Sequence, residues 1–140
     1  MTSMAPVTAS VQVEVPFHDI DPMGVAWHGH YFKYFEIARC ALLDKIDYNY
    51  PQMKASGYMW PIVDTRVKYV GSALFQQTLN VTATLLEYEN RLKIGYDIAE
   101  AQSGQRLTKG YTIQVAVDIN SREMCYASPA ILLEKLGISA

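Results

Sequence analysis

Cysteine is scarce in this chain: Cys40 and Cys125 are the only two. They lie too far apart for a CxxC redox pair or a zinc-ligand spacing, and each reads as a small packing residue. Excess basic charge is also lacking. Twelve Lys and Arg stand against fourteen Asp and Glu, giving a net charge of −2 and a pI near 5.9. That balance argues against nucleic acid as a partner, although it leaves room for a local basic patch facing a phosphorylated ligand. No stretch approaches the roughly 18 uninterrupted apolar residues of a membrane span, so no membrane insertion is expected. Met1–Ser10 has no basic residue ahead of an apolar run, as a secretory leader would. A reduced, cytoplasmic protein without a cofactor is the resulting expectation. What is present is ample apolar material. With 140 residues, half of them hydrophobic, the chain can bury roughly 68–70% of its unfolded surface in one domain, without metal or disulfide.

The apolar residues are ordered in two periods. Val11, Val13, Val15 and Phe17 alternate with Gln12, Glu14 and Pro16, which predicts a strand with one buried face. Pro16 cannot donate a ladder hydrogen bond and belongs at an edge or an end. From His30 to Asp44 the period turns helical, with Tyr31, Tyr34, Phe35, Ala38, Ala41 and Leu42 on one stripe. Phe32, Ile37, Cys40 and Leu43 widen it, leaving Lys33, Glu36 and Arg39 as a narrow polar line. Such a helix should be largely enclosed by other structure. Pro51 and Gly57 bracket a short second helix. Alternation returns over residues 63–69, 79–85, 92–98 and 111–117, with turns at Glu89-Asn90 and Ser103-Gly104. The expected class is α+β, an antiparallel β-sheet curled around a long central helix. A single domain over residues 1–140, with 1–9 as a flexible N-terminal arm, follows from the absence of any linker. The strand order does not follow.

Ionisable groups concentrate between the first strand and the helix, in Phe17-His18-Asp19-Ile20-Asp21-Pro22-Met23-Gly24-Val25-Ala26-Trp27-His28-Gly29-His30-Tyr31-Phe32. Asp21 is fixed ahead of a proline in a loop that also needs Gly24. A few residues on, the first N–H groups of the helix lack intrahelical partners and carry the positive end of its dipole. A carboxylate facing such donors across a cleft can attack or deprotonate while the donors stabilise an oxyanion.

Asp21-Pro-Met-Gly-Val-Ala-Trp-His-Gly-His-Tyr31, followed by Phe35-Glu36-Ile37-Ala38-Arg39, resembles the 4-hydroxybenzoyl-CoA thioesterase and YbgC-like branch of the hotdog-fold acyl-CoA thioesterases. Val67-Lys68-Tyr69-Val70-Gly71-Ser72-Ala73 resembles that family's segment following the helix. The resemblance spans roughly residues 11 to 130. It implies hydrolysis of acyl-CoA to a free acid and coenzyme A, with Asp21 as catalytic general base or nucleophile. It places the oxyanion donor at backbone N–H groups near His28 and Gly29, and makes Tyr31, Lys68 and Ser72 candidate substrate-binding residues. It also implies a homo-oligomer, a dimer or a dimer of dimers, with sites at subunit interfaces. The chain departs from the family in having His30 where YbgC-like members commonly carry Asn. Leu74-Phe75-Gln76-Gln77 also replaces an acidic residue often found after the turn.

Other readings of the same residues compete. Asp21 alone could cap the loop before Pro22, and Asp19 suits a structural role or a surface charge. His18, Asp19, Asp21, His28 and His30 include metal-ligand types, but no HExxH or comparable spacing supports a metal site. No GxSxG elbow is present for a serine triad. Arg66, Lys68, Arg91, Lys93, Arg106 and Lys109 fall on outward strand positions, either as a solvated face or as contacts to coenzyme A phosphates. Trp27, Tyr31, Tyr58 and Trp60 suit core or interface better than an acyl pocket. Acyl-carrier-protein thioesters as substrates, and non-catalytic acyl-CoA binding, are the rival functions.

Overall fold

The computed structural model describes residues 7–16, 19, 22 and 31–138. Five strands form one antiparallel sheet: β1 (Thr8–Glu14), β3 (Ile62–Tyr69), β4 (Thr78–Glu87), β5 (Leu92–Glu100) and β6 (Arg106–Gln114), in the order β1-β4-β5-β6-β3. Between β1 and β3 run the helices α1 (Tyr31–Lys45) and α2 (Tyr50–Ala55) and the short strand β2 (Tyr58–Met59). After β6 come β7 (Val117–Asp118), which pairs with β2, and a final helix α3 (Ala130–Lys135).

Period-2 alternation gives the sheet its buried face. Leu79, Val81, Ala83 and Leu85 of β4, and Leu92, Ile94, Tyr96 and Ile98 of β5, are all buried. Helix α1 covers that face, packing on β1, β4 and the near side of β5. Phe35 stacks on Tyr96 with ring centroids 4.5 Å apart and planes 13° from parallel. This stack depends on Gly110, which lies opposite Tyr96 on β6. A Cβ there would fall 3.3 Å from the Phe35 ring and 2.5 Å from the Arg66 carbonyl oxygen.

Helix α1 matches its expected span to within one residue at each end, while α2 starts one residue before Pro51 and ends two short of Gly57. α2 is held by a capping box between Asn49 and Gln52, with Pro51 in its first turn. β1 begins earlier than its alternation announced, and Val15, just beyond its end, is fully buried.

Three features differ from expectation. First, α1 is not enclosed all round. Lys33 is half-buried, Glu36, Ile37 and Asp44 are exposed, and Phe32 is 46% exposed, whereas Arg39, expected on the polar line, is only 5% exposed. Arg39 lies one turn beyond Phe35, and its Nη2 donates to the Tyr50 hydroxyl at 2.8 Å, with the Tyr96 phenol alongside. Second, β6 turns its apolar Tyr111 away from the helix. Its inward positions are Thr108, Gly110, Thr112 and Gln114, set by register with Ile98, Tyr96, Ile94 and Leu92. Two of these polar side chains have buried partners. Tyr96 and Thr112 share a hydrogen bond of 2.7 Å, and Gln114 Nε2 donates to the Trp60 carbonyl at 2.7 Å. Third, α3 was not anticipated. Its six residues bury only Leu132, too little for a helical stripe to register. Among the described residues no helix is long and apolar enough to cross a membrane.

Candidate active site

Three pieces of chain meet at the N-terminal end of α1: the segment after β1, the first turn of the helix, and the turn after β3. Asp19 fastens the first to the second. It is 1% exposed, and its N–H donates to the Pro16 carbonyl at 3.0 Å. Lys33 Nζ lies 2.7 Å from each of its carboxylate oxygens, and the Tyr34 hydroxyl donates to Oδ2 at 2.7 Å. Charge-assisted bonds of this length to a buried carboxylate are strong. Asp19 is therefore an interior anchor and not a surface charge. Burial, reinforced by the adjoining Asp19 carboxylate, pushes the Tyr34 phenol well above its ordinary pKa.

A second tie joins the helix to the turn after β3. The Ala73 N–H donates to the Tyr31 hydroxyl at 3.0 Å, and the Tyr31 ring lies 5.5 Å from that of Tyr69. Burial raises the Tyr31 pKa, partly offset by the bond from Ala73. Within the turn, Val70 and Gly71 both donate N–H to the Leu107 carbonyl at 2.9 Å. A Cβ on Gly71 would approach Leu107 Cδ2 to 3.0 Å, so this close approach favours glycine. The Leu74 N–H donates to Gln77 Oε1 at 2.7 Å. Here a glutamine closes the turn in the stretch where the resembled family often carries an acid. Val15 N–H donates to Gln77 O at 2.9 Å and Gln76 N–H to Val15 O at 3.2 Å, lacing the turn back to the end of β1.

The predicted site residues separate accordingly. Tyr31 sits at the centre of this junction, 2% exposed, and Ser72 lies exposed in the turn beside its partner Ala73. Lys68 is not brought to them. Tyr69 faces Tyr31, and strand alternation turns Lys68 to the opposite face of the sheet, where it lines a separate depression. Asp21, His28 and Gly29 lie outside the described residues, as do His18, His30 and Trp27. Position 21 is bracketed by two described residues, buried Asp19 and exposed Pro22. Trp60, from the expected aromatic set, is core and donates Nε1–H to the Tyr48 hydroxyl at 3.2 Å. Among the described residues no group of three or more His, Cys, Asp or Glu could hold a metal ion. Sequence reasoning missed Lys33 and Tyr34 as partners of Asp19. Their pairing spans 14 and 15 residues across a loop, so no local spacing signals it.

The geometry has clear counterparts. YneP of Bacillus subtilis (strain 168), named as a candidate acyl-CoA thioesterase, is 26% identical over 111 residues, covering 79% of this chain and 80% of that protein. The DHNA-CoA thioesterase of Staphylococcus aureus has a crystal structure similar to this one. Its TM-score is 0.77 at 25% identity, covering 85% of this chain and 80% of that chain. A 1,4-dihydroxy-2-naphthoyl-CoA thioesterase from Synechocystis shares the fold with a TM-score of 0.82 at 20% identity, over 93% of this chain and 96% of that one. The antiparallel sheet around a central helix is thus the hotdog architecture. Because residues 15–135 also match the thioesterase-like superfamily as a family, the chain belongs to that superfamily.

Proposed function

We propose that this protein hydrolyses acyl-coenzyme A thioesters to a free acid and coenzyme A, with Asp21 as general base or nucleophile. The observation that carries the reading is the Asp19 clamp. Lys33 and Tyr34 belong to the first turn of α1, so the carboxylate they hold pins its segment to the helix tip. Two residues of chain reach at most about 7 Å, which supports reading Asp21 as within reach of that tip. There the N–H groups of the first turn and the positive end of the dipole of a 15-residue helix can polarise a thioester carbonyl. Near His28 and Gly29, the oxyanion donor would stand just ahead of Tyr31. The motif favours a branch like that of 4-hydroxybenzoyl-CoA thioesterase and YbgC, acting in the cytoplasm as a homo-oligomer.

Asp21→Asn tests the assignment. Thiol release from a panel of short, long and aromatic acyl-CoAs should fall at least a hundredfold (about 2.7 kcal/mol of barrier), with circular dichroism and melting temperature unchanged. Retained turnover in that variant would remove Asp21 from the chemistry.

A further inference from the structure

The sheet face turned away from α1 carries a second feature, apart from the junction at the helix tip. A depression of about 480 Å³ opens there, and four of the chain's twelve Lys and Arg line it: Arg66, Lys68, Lys93 and Lys109. For a chain of net charge −2, this is a marked concentration of positive charge. The register makes the crowding unavoidable. Lys68 of β3 stands directly opposite Lys109 of β6, and Arg66 opposite Tyr111. Like charges directly opposite each other on one sheet face destabilise the pair.

Of the four, only Lys93 has a carboxylate partner among the described residues. Asp97 is the cross-strand neighbour of Lys109, yet its Oδ1 lies 2.9 Å from Arg106 Nε. That ion pair is close but not aligned as a hydrogen bond, so Oδ1 still lacks a hydrogen-bond partner. Glu87 is shared between Arg91 at 2.9 Å and Lys93 at 3.8 Å. Among the described residues no carboxylate forms an ion pair with Arg66, Lys68 or Lys109. The floor is open because residue 95, between Thr84 and Tyr111, is glycine. A Cβ there would meet Leu86 Cδ1 at 2.9 Å. Tyr111 forms one wall, with Lys93 Nζ 4.5 Å from its ring centroid.

We propose that this outer face binds a diphosphate-type anion, held by Lys68, Lys109, Arg66 and Lys93 beside Tyr111. An anion of two or more charges relieves the repulsion between the opposed lysines, and the Arg66 fork suits phosphate oxygens. The same concentration of charge opposes a second copy of this face. The phosphates come either from the thiol carrier of the substrate, which rests on the reading given above, or from a free nucleotide.

Calorimetric titration with inorganic diphosphate, ADP and free coenzyme A at low salt tests the site. The wild-type protein should bind these anions, with affinity falling as salt screens the charges. Lys68→Ala/Lys109→Ala should weaken binding at least tenfold without lowering the melting temperature. The distant charge-matched control Lys54→Ala/Lys135→Ala should leave binding unchanged. Kinetics then separate the two sources. A raised KM for acyl-CoA, with kcat and hydrolysis of the matching acyl-pantetheine unchanged, assigns the phosphates to the substrate. An unchanged KM with loss of ADP binding assigns them to a free nucleotide. Equal binding by wild type and the Lys68/Lys109 variant, or no binding of any of the three anions, overturns the proposal. The binding arm needs no turnover, so loss of the thioesterase reading leaves it intact.

Discussion

A phenol shut away from water resists ionisation, because the phenolate would lose its hydration. Tyr31, Tyr34 and Tyr96 are each buried, and burial is the largest cause of the raised pKa of all three. In the unfolded chain they ionise near the ordinary value of about 10. The folded state keeps its protons to higher pH, so the stability these groups contribute is complete below about pH 10. It is lost as pH rises through the folded values. Alkaline titration followed by tyrosinate absorbance, alongside circular dichroism, should show Tyr31, Tyr34 and Tyr96 ionising only as the fold is lost. Ionisation of all ten tyrosines ahead of unfolding would contradict this. Tyr34→Phe should remove one member of the late class and lower stability by about 1–3 kcal/mol, since Asp19 would lose a buried donor. None of this was visible in the sequence, where Tyr34 was simply an apolar stripe residue. Its hydroxyl acquires meaning only when the loop brings Asp19 to it.

At the scale of strands and helices, the most exacting contact is the one over Gly110. Gly110→Ala must displace either the Phe35 ring or the β3 backbone at Arg66. We expect a loss of about 1–3 kcal/mol, as for overpacking generally, read as a lower urea midpoint. A wild-type midpoint would mean that the Phe35–Tyr96 stack yields freely. The same contact explains what the amino-acid pattern could and could not reveal. Helix α1 and strands β4 and β5 were legible because their buried residues are apolar at periods of 3.6 and 2. Strand β6 was misjudged in orientation because its inward residues are Thr108, Thr112 and Gln114, with Gly110 between them. Thr112 is acceptable inside because Tyr96, sixteen residues earlier, supplies its hydrogen bond. Arg39 was misplaced for a related reason: its partners Tyr50 and Tyr96 come from other elements. A binary pattern counts apolarity and not partners.

At the scale of the whole molecule, the sheet has two edges of opposite character. On β1, alternate residues Thr8, Ser10, Gln12 and Glu14 are polar and exposed, and Lys45 Nζ caps the Thr8 carbonyl at 2.8 Å. On β3 and just beyond, Ile62, Val63, Tyr69 and Val70 are exposed, the two valines at 58% and 59%. An edge strand with exposed apolar ends invites pairing with another strand, and a two-fold axis beside β3 would let the edge pair with its own copy. Light scattering should therefore find the wild-type protein dimeric or larger, and Val63→Lys/Val70→Lys monomeric with its secondary structure retained. An unchanged mass would exclude this edge as the contact. As for the candidate site, a contiguous motif marks a segment that lies mostly outside the described residues, whereas the anchoring of its Asp19 arises from contacts made across the fold. One such contact limits how the chemistry can be arranged. In the turn beside Tyr31, the amides of residues 70, 71, 73 and 74 already serve Leu107, Tyr31 and Gln77. Those four donors are committed to shaping the wall, so under the proposed reading a bound carbonyl would take its polarisation from the helix tip instead.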